Sequence, residues 1–384
     1  MSLARGHARV AVFSAYYPTH GGGMELATEE LVRRLRSAGF EVEWVAQADR
    51  GLPYDFEGCT TPLPGSDMVY SLTGIPMPFP WPWALGRMVR AIRGSQLVIV
   101  VEANFILSVL GFVLAKLIGK PVAVVQHVGE PSTVSRLGRG IMRLGERLAT
   151  RPMIESADAV VYVSPVVAAH FHAARLRSPA EIIGHGVDTG QFRPPHDEAE
   201  KRADRAALGL PADGRIACFV GRLTESKGLG VVAALARQQP DWTFAIAGSG
   251  PVEPASWKLP NVVALGQLAR SDTARLYRAS DALVLPSQSE SYSLVVREAL
   301  ASDCRVLCAD QIIETDPGLA PHLMTTRVDL GDADATAARF SNMLDADVTN
   351  DPAAARQYVV ETCSWEAAGD RYVSLVEALV EGRA

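Results

Sequence analysis

Residues 282–298 read ALVLPSQSESYSLVVRE. Four apolar residues, Ala282–Leu285, run into Pro286 and a polar stretch. A short apolar run closed in this way is the pattern of a strand buried on both faces. Leu294–Ala301 then reads as a helix. A buried strand that leads through a polar loop into a helix is part of a β-α-β unit, and such units build parallel sheets. The same step occurs upstream, where Ile216–Val220 meets a glycine turn and then the helix pattern Leu229–Arg237. Thr243–Ala247, Val262–Leu265 and Arg305–Cys308 read as further strands, and Asp272–Ala279 as a further helix.

The amino-terminal half alternates likewise. Arg9–Ser14, Val42–Ala46, Leu97–Val101, Val122–Gln126, Ala159–Val163 and Glu181–Gly184 read as strands. Glu25–Ala38 reads as an amphipathic helix ended by Gly39. Between the halves, Arg193–Arg205 is charged and carries two prolines, RPPHDEAEKRADR, and reads as a linker or a domain edge. A chain of 384 residues fits two domains of roughly 100–200 residues each. The expected division is 1–192, 193–364, and a terminal helix, 365–384, that crosses back to the first domain.

Composition bounds the function. The chain is 48% hydrophobic and 21% charged, so it has apolar material for two cores and is not a disordered chain. A net charge of −6 argues against a general nucleic-acid-binding surface. The five cysteines are scattered without zinc spacing, which suits a reducing compartment. Cys304 and Cys308 flank a strand and read as buried thiols. The apolar stretch Phe105–Ile118 holds 14 residues including Lys116, short of the roughly 20 that span a bilayer, and reads as a buried helix. The apolar run Val10–Tyr16 reads as a first strand rather than a signal peptide. The expected location is cytoplasmic.

Three segments carry site chemistry. In Pro18–Glu25, PTHGGGME, three glycines precede a helix and leave amides uncovered for an anion; a plain flexible turn is the alternative. In Phe219–Gly228, FVGRLTESKG, a strand delivers Gly221, Arg222 and Lys227, two cations suited to a diphosphate or simply to solvent. In the opening segment Glu290 lies in the loop and Glu298 in the helix. Such carboxylates can accept hydrogen bonds from sugar hydroxyls, while the amides of Ser293, Leu294 and Val295 can meet phosphate. Glu298 on an ordinary helix surface is the bland reading. Neither strand–helix junction carries GxGxxG, which disfavours a nicotinamide dehydrogenase.

Taken in order, these residues resemble retaining glycosyltransferases of family 4. The resemblance also takes in Gln126-His127, Val163-Ser164, His185-Gly186-Val187-Asp188, Ala247-Gly248-Ser249-Gly250-Pro251, Gly266-Gln267-Leu268 and Trp365. It implies the GT-B architecture, two Rossmann-like doubly wound parallel-sheet α/β domains facing across a cleft. It implies transfer of a hexose-type sugar from a nucleoside diphosphate sugar, of uridine or guanosine, to an acceptor hydroxyl, with retention and without a metal or other cofactor. It assigns the ribose hydroxyls to Glu298, the sugar hydroxyls to Glu290, and the diphosphate to Arg222, Lys227 and the amides of Gly22 and Gly23. Gly266, Gln267 and Leu268 would meet the base, and His127 would sit beside the reacting sugar. By itself His127 could equally be a core histidine at a strand end. Ser291 and Ser293 depart from the family, which has glycine there, as does Ala309–Pro317, where a glycine turn is usual. A nucleotide-sugar epimerase of the same fold and a non-catalytic sugar-nucleotide-binding subunit are the alternatives.

The helix pattern Ser135–Arg151 sets Leu137, Ile141, Leu144 and Leu148 beside an arc of Arg136, Arg139, Arg143, Arg147 and Arg151. It reads either as a helix packed on the sheet or as one lying on an anionic membrane. Pro76–Trp83, PMPFPWPW, reads as an acceptor-covering, membrane-facing or packed surface loop. Sugar, lipid-linked and small-molecule acceptors all fit.

Overall fold

The computed structural model describes residues 8–20, 23–48, 51–66, 77–129, 136–288, 290–346 and 351–382. β1 (Arg9–Tyr16) is buried at every position after Arg9. Such a strand needs a neighbour on each side, and it has β2 (Glu41–Gln47) and β6 (Leu97–Val101), both parallel to it. β3 (Thr60–Leu63) pairs beyond β2. On the other side follow β7 (Val122–Gln126), β8 (Ala159–Tyr162) and β9 (Glu181–Ile182). The sheet order is therefore β3-β2-β1-β6-β7-β8-β9, all parallel, as continuous apolar runs demand. β4 (Gly65–Ser66) and β5 (Phe79–Pro80) form a separate antiparallel pair.

The second sheet is built the same way from β10 (Arg215–Val220), β11 (Trp242–Ala247), β12 (Val262–Gly266), β13 (Ala282–Leu285), β14 (Arg305–Ala309) and β15 (Met324–Thr326). Its order is β12-β11-β10-β13-β14-β15, again parallel. The chain thus forms two parallel-sheet α/β units, Met1–Gly184 with Ala368–Ala384, and His185–Ala367.

The division falls at Gly184/His185, ahead of the sequence-based boundary at 192. Residues 185–192 belong to the second unit for a physical reason. The Val187 amide donates to the Cys363 carbonyl at 2.7 Å, and Phe192 is fully buried in that unit's core. The helix Trp365–Val380 starts in the second unit, and its residues from Ala368 onward pack in the first.

Arg193–Arg205 is not a linker. Asp197 caps the helix Glu198–Ala207 by accepting from the Glu200 amide at 2.8 Å. Arg205 points inward. Its Nε donates to the Ala279 carbonyl at 2.9 Å, its other nitrogens to Ala212 and Gly214, and it pairs with Asp281 at 3.2 Å. The buried arginine at the end of this stretch is held by carbonyls of the second unit rather than by water.

In the helix Ile106–Ile118 one face is buried through Leu107, Gly111, Phe112 and Ala115, while Val113 and Leu117 are exposed. Among the described residues no helix is long and apolar enough to cross a membrane. The five cysteines are free, and Cys304 and Cys308 are buried.

Arg205→Ala removes three hydrogen bonds to carbonyls and one of the two cations on Asp281, which keeps Lys201 at 2.6 Å. We expect a loss of about 3 kcal/mol in urea unfolding. A loss below about 0.5 kcal/mol would return this segment to the status of a surface linker.

Candidate functional site

Ligands of open parallel sheets collect at the carboxyl ends of neighbouring strands whose connections run in opposite directions. In the second sheet that point lies between β10 and β13. The turns that leave β10, β11 and β13 are packed there backbone to backbone. Gly248 holds φ +143°, and a Cβ on it would come within 1.8 Å of the Gly221 carbonyl oxygen. Gly228 holds φ +80°, and a Cβ there would meet the Pro286 carbonyl at 2.5 Å. Only glycine allows these approaches.

They bring Lys227 and Glu290 together. Lys227 Nζ donates to Glu290 Oε1 at 2.6 Å, with both side chains largely covered. Arg222 is exposed and has no ion-pair partner among the described residues. Gly221 donates its amide to the Ala247 carbonyl at 3.1 Å. Gly266 and Gln267 are exposed at the end of β12, Leu268 is half-buried, and the Gly266 carbonyl accepts from the Gly248 amide at 2.7 Å.

Glu298 is no surface acid. It is 6% exposed, accepts from the Tyr277 hydroxyl at 3.4 Å and faces Arg270 at 3.7 Å. Burial raises its carboxyl above the ordinary value, and Arg270 and Tyr277 offset part of that. Ser293 occupies the N-cap of the helix Leu294–Ala301, yet its hydroxyl makes no capping bond. That buried oxygen has no hydrogen-bond partner among the described residues. Leu294 and Val295 follow it, half-buried, in the first helical turn. Beneath them Arg297 is fully buried. Its guanidinium lies 3.7 Å from the Tyr292 ring centre and donates to the Ser293 carbonyl at 3.0 Å and to Asp316 at 3.1 Å. Tyr292 in turn donates to the His185 carbonyl at 2.7 Å. The loop between the two glutamates is therefore pinned from below.

In the first unit, Gly22 lies outside the described residues, and Gly23 begins the helix Gly23–Ser37 in an exposed position. His127 follows β7 and is 7% exposed. Burial lowers its imidazole to about 4, the Val125 carbonyl opposing, so the ring is neutral at physiological pH.

Sequence reasoning missed Glu102, the residue that ends the wholly apolar β6. It is 1% exposed and holds φ +60°, a left-handed conformation that non-glycine residues seldom adopt. Its Oε2 accepts from the amides of His127 and Val128, each at 3.0 Å. Its Oε1 accepts from Gln126 Nε2 at 2.5 Å and from Asn104 Nδ2. Burial pushes the carboxyl up to about 7 against the pull of those four bonds. The one available signal was an acid placed directly after five apolar residues. Among the described residues no cluster of three or more His, Cys, Asp or Glu could hold a metal ion.

Two family models match in the order of the two units, Glycosyltransferase Family 4 over residues 21–191 and Glycosyl transferases group 1 over residues 200–317. The chain belongs to glycosyltransferase family 4. A family relative, the D-inositol 3-phosphate glycosyltransferase of Mycobacterium leprae, is 32% identical over 171 residues, 41% of this chain. The match spans only 39% of that relative's length. Among solved structures, sucrose-phosphate synthase from Thermosynechococcus elongatus superposes with a TM-score of 0.73 at 21% identity, over 98% of this chain and 100% of that one. Anabaena HepE in complex with UDP-glucose gives 0.71 at 16% identity, over 97% and 100%. These likenesses make the fold GT-B.

Glu102 and His127 predict opposite pH trends for stability in this family 4 chain. The folded-state pKa of Glu102 is raised, so its contribution is full below about 4.5 and is lost as pH rises through about 7. That of His127 is lowered, so its contribution is full above about 6.5 and is lost as pH falls towards 4. Comparing wild type with Glu102→Gln cancels the histidine. The wild type should lose ground by roughly 1.4 kcal/mol per pH unit across the Glu102 window. Parallel stability curves from about pH 4.5 to about 7 would show that the carboxyl is not shifted.

Proposed function

We propose that the protein transfers a sugar from a nucleoside diphosphate sugar to an acceptor hydroxyl with retention of anomeric configuration. The observation that carries this reading is the second unit's switch point, where Lys227, Glu290, Glu298 and the uncapped buried Ser293 converge. Each is suited to one part of such a donor. Lys227 has three N–H bonds and gives only one to Glu290, so it can hold phosphate oxygens while still orienting the carboxylate. Arg222 adds a second, exposed cation. Ser293, with the amides of Leu294 and Val295, offers donors to phosphate at a helix start.

Glu290 then accepts hydrogen bonds from the hydroxyls of the transferred sugar, and Glu298 from the ribose. Because Glu298 is buried, those bonds form in a medium that strengthens them. Exposed Gly266 and Gln267, with Leu268 half-buried after them, suit a base read through backbone groups. Neutral His127 is the first unit's contribution, a hydrogen-bonding group for the sugar rather than a charge. Retention follows if the leaving diphosphate itself takes the acceptor's proton on the face it departs from. The enzyme then works by position and charge. A UDP-sugar donor has support in the HepE complex, and an inositol-phosphate-like acceptor in the mycobacterial relative.

With two cations available for the diphosphate, we propose that no metal takes part, so that a chelator leaves the rate unchanged. Lys227→Ala and Glu290→Ala should each lower transfer at least about 100-fold while melting normally. Stabilisation by a nucleoside diphosphate should shrink in the lysine variant. Near-full activity in either would remove the site from the second unit's switch point.

Membrane contact is proposed on one observation. Leu144 and Leu148 are 57% and 69% exposed, beside exposed Arg143 and Arg147. Arg136 and Arg139 lie where no side chain is described. Trp81 and Trp83 stack at 5.4 Å and are also exposed. Vesicles rich in anionic lipid should co-float the protein at low salt and release it at about 0.5 M salt. Absence of flotation at low salt ends the idea.

A further inference from the structure

Glu102 has no place in the donor site, and it has no cationic partner among the described residues. It occupies the switch point of the first sheet, where β1 and β6 are neighbours whose connections diverge. We propose that Glu102 is a positioning residue for sugar transfer, its buried carboxylate holding the turn Gln126–Val128 so that His127 is presented in one fixed orientation. This rests on the reading of His127 as a reaction-site residue.

Geometry carries the inference. One carboxylate oxygen receives two consecutive backbone amides, those of His127 and Val128. Two anchored N–H groups fix the peptide planes on either side of the His127 α-carbon, and so the direction in which its side chain leaves the chain. The other oxygen receives two side-chain amides. Gln126 accepts from the Ala103 amide at 3.0 Å through its oxygen and donates to the Val128 carbonyl at 2.8 Å. It cannot turn round without losing both bonds, so it presents N–H to Glu102. Asn104 accepts from the Thr150 hydroxyl at 2.7 Å. Three fixed donors converging on two oxygens suit a group that only accepts, which Glu102 is once ionised, above about pH 7, and a glutamine never is.

The cost of building this is visible. A glutamate is held at positive φ, and an acid is buried with no cation beside it among the described residues. Both are tolerated where surrounding contacts over-determine the conformation, and here they converge on one turn.

The test uses the full-length chain and the variants Glu102→Gln, His127→Ala and the double variant. In either orientation a glutamine at 102 sets an N–H against another N–H. We expect kcat to fall by at least about 30-fold with the donor KM within about twofold, because the groups proposed for the diphosphate, ribose and base lie in the second unit. In the His127→Ala background the same change should cost almost nothing, since its effect passes through the missing ring. Activity within about threefold of wild type, or effects that multiply in the double variant, would overturn the proposal. If Glu102→Gln does not fold, Asn104→Ala removes one donor at a half-buried position and is read by the same cycle.

Failure of the functional reading is distinguished by amide hydrogen exchange. Should no nucleoside diphosphate sugar support transfer, the function falls. The His127 and Val128 amides would still exchange at least about 100-fold faster in Glu102→Gln if the carboxylate holds the turn. Unchanged exchange would overturn the positioning role whatever the activity.

Discussion

The carbonyl of Gly221 faces Gly248 with no room for a methyl group between them, since a Cβ would stand 1.8 Å away. That contact makes the turns after β10 and β11 one layer of backbone rather than two loops with side chains between them. The approach of Gly228 to Pro286 extends the layer to β13. Lys227 and Glu290 meet because the backbones that carry them already touch. Rigid positioning of this kind comes from strand ends and tight turns, which keep polar side chains within hydrogen-bond reach without a long, entropically costly loop.

The two units solve the same geometric problem with opposite electrostatics. At the second switch point a cation answers a carboxylate, and a second carboxylate lies in reach of Arg270 and Tyr277. At the first, the partners of Glu102 among the described residues are neutral N–H groups, two from backbone and two from side-chain amides. An ion pair of this sort can exchange one partner for a ligand's charge. A carboxylate locked into four hydrogen bonds cannot do so cheaply, and it serves instead to fix shape.

The sequence was most legible where side chains are buried by their own apolarity. Leu97–Val101, Val122–Gln126, Ala282–Leu285 and Leu294–Ala301 form where the apolar runs lie. β3 and β15 were not visible, because Thr60–Leu63 and Met324–Thr326 are half-buried edge segments without an apolar run. Arg193–Arg205 misled because its composition is that of a solvated stretch. The information was in Asp197 and Glu200, three residues apart at a helix start, and in an arginine long enough to reach three carbonyls. In the site, Lys227, Glu290 and Glu298 stood out as charges at strand–helix junctions. Glu102 did not, since its main partners are backbone amides and every sequence supplies those alike. Arg297 was likewise hidden, being a charge on the buried side of a helix whose partner Asp316 lies far along the chain.

The Lys227–Glu290 contact bears on selectivity as well as position. At 2.6 Å the Glu290 carboxylate sits where an anion would otherwise attract the Lys227 ammonium. Any incoming anion competes with that internal occupant. A small phosphate offers little beyond the charge it displaces, so it exchanges one contact for another with slight gain. A ligand that brings hydroxyls for the released carboxylate as well as oxygens for the lysine satisfies both partners at once. If the proposed site is right, the pair acts as a gate on composition, favouring molecules that join sugar to phosphate over either part alone.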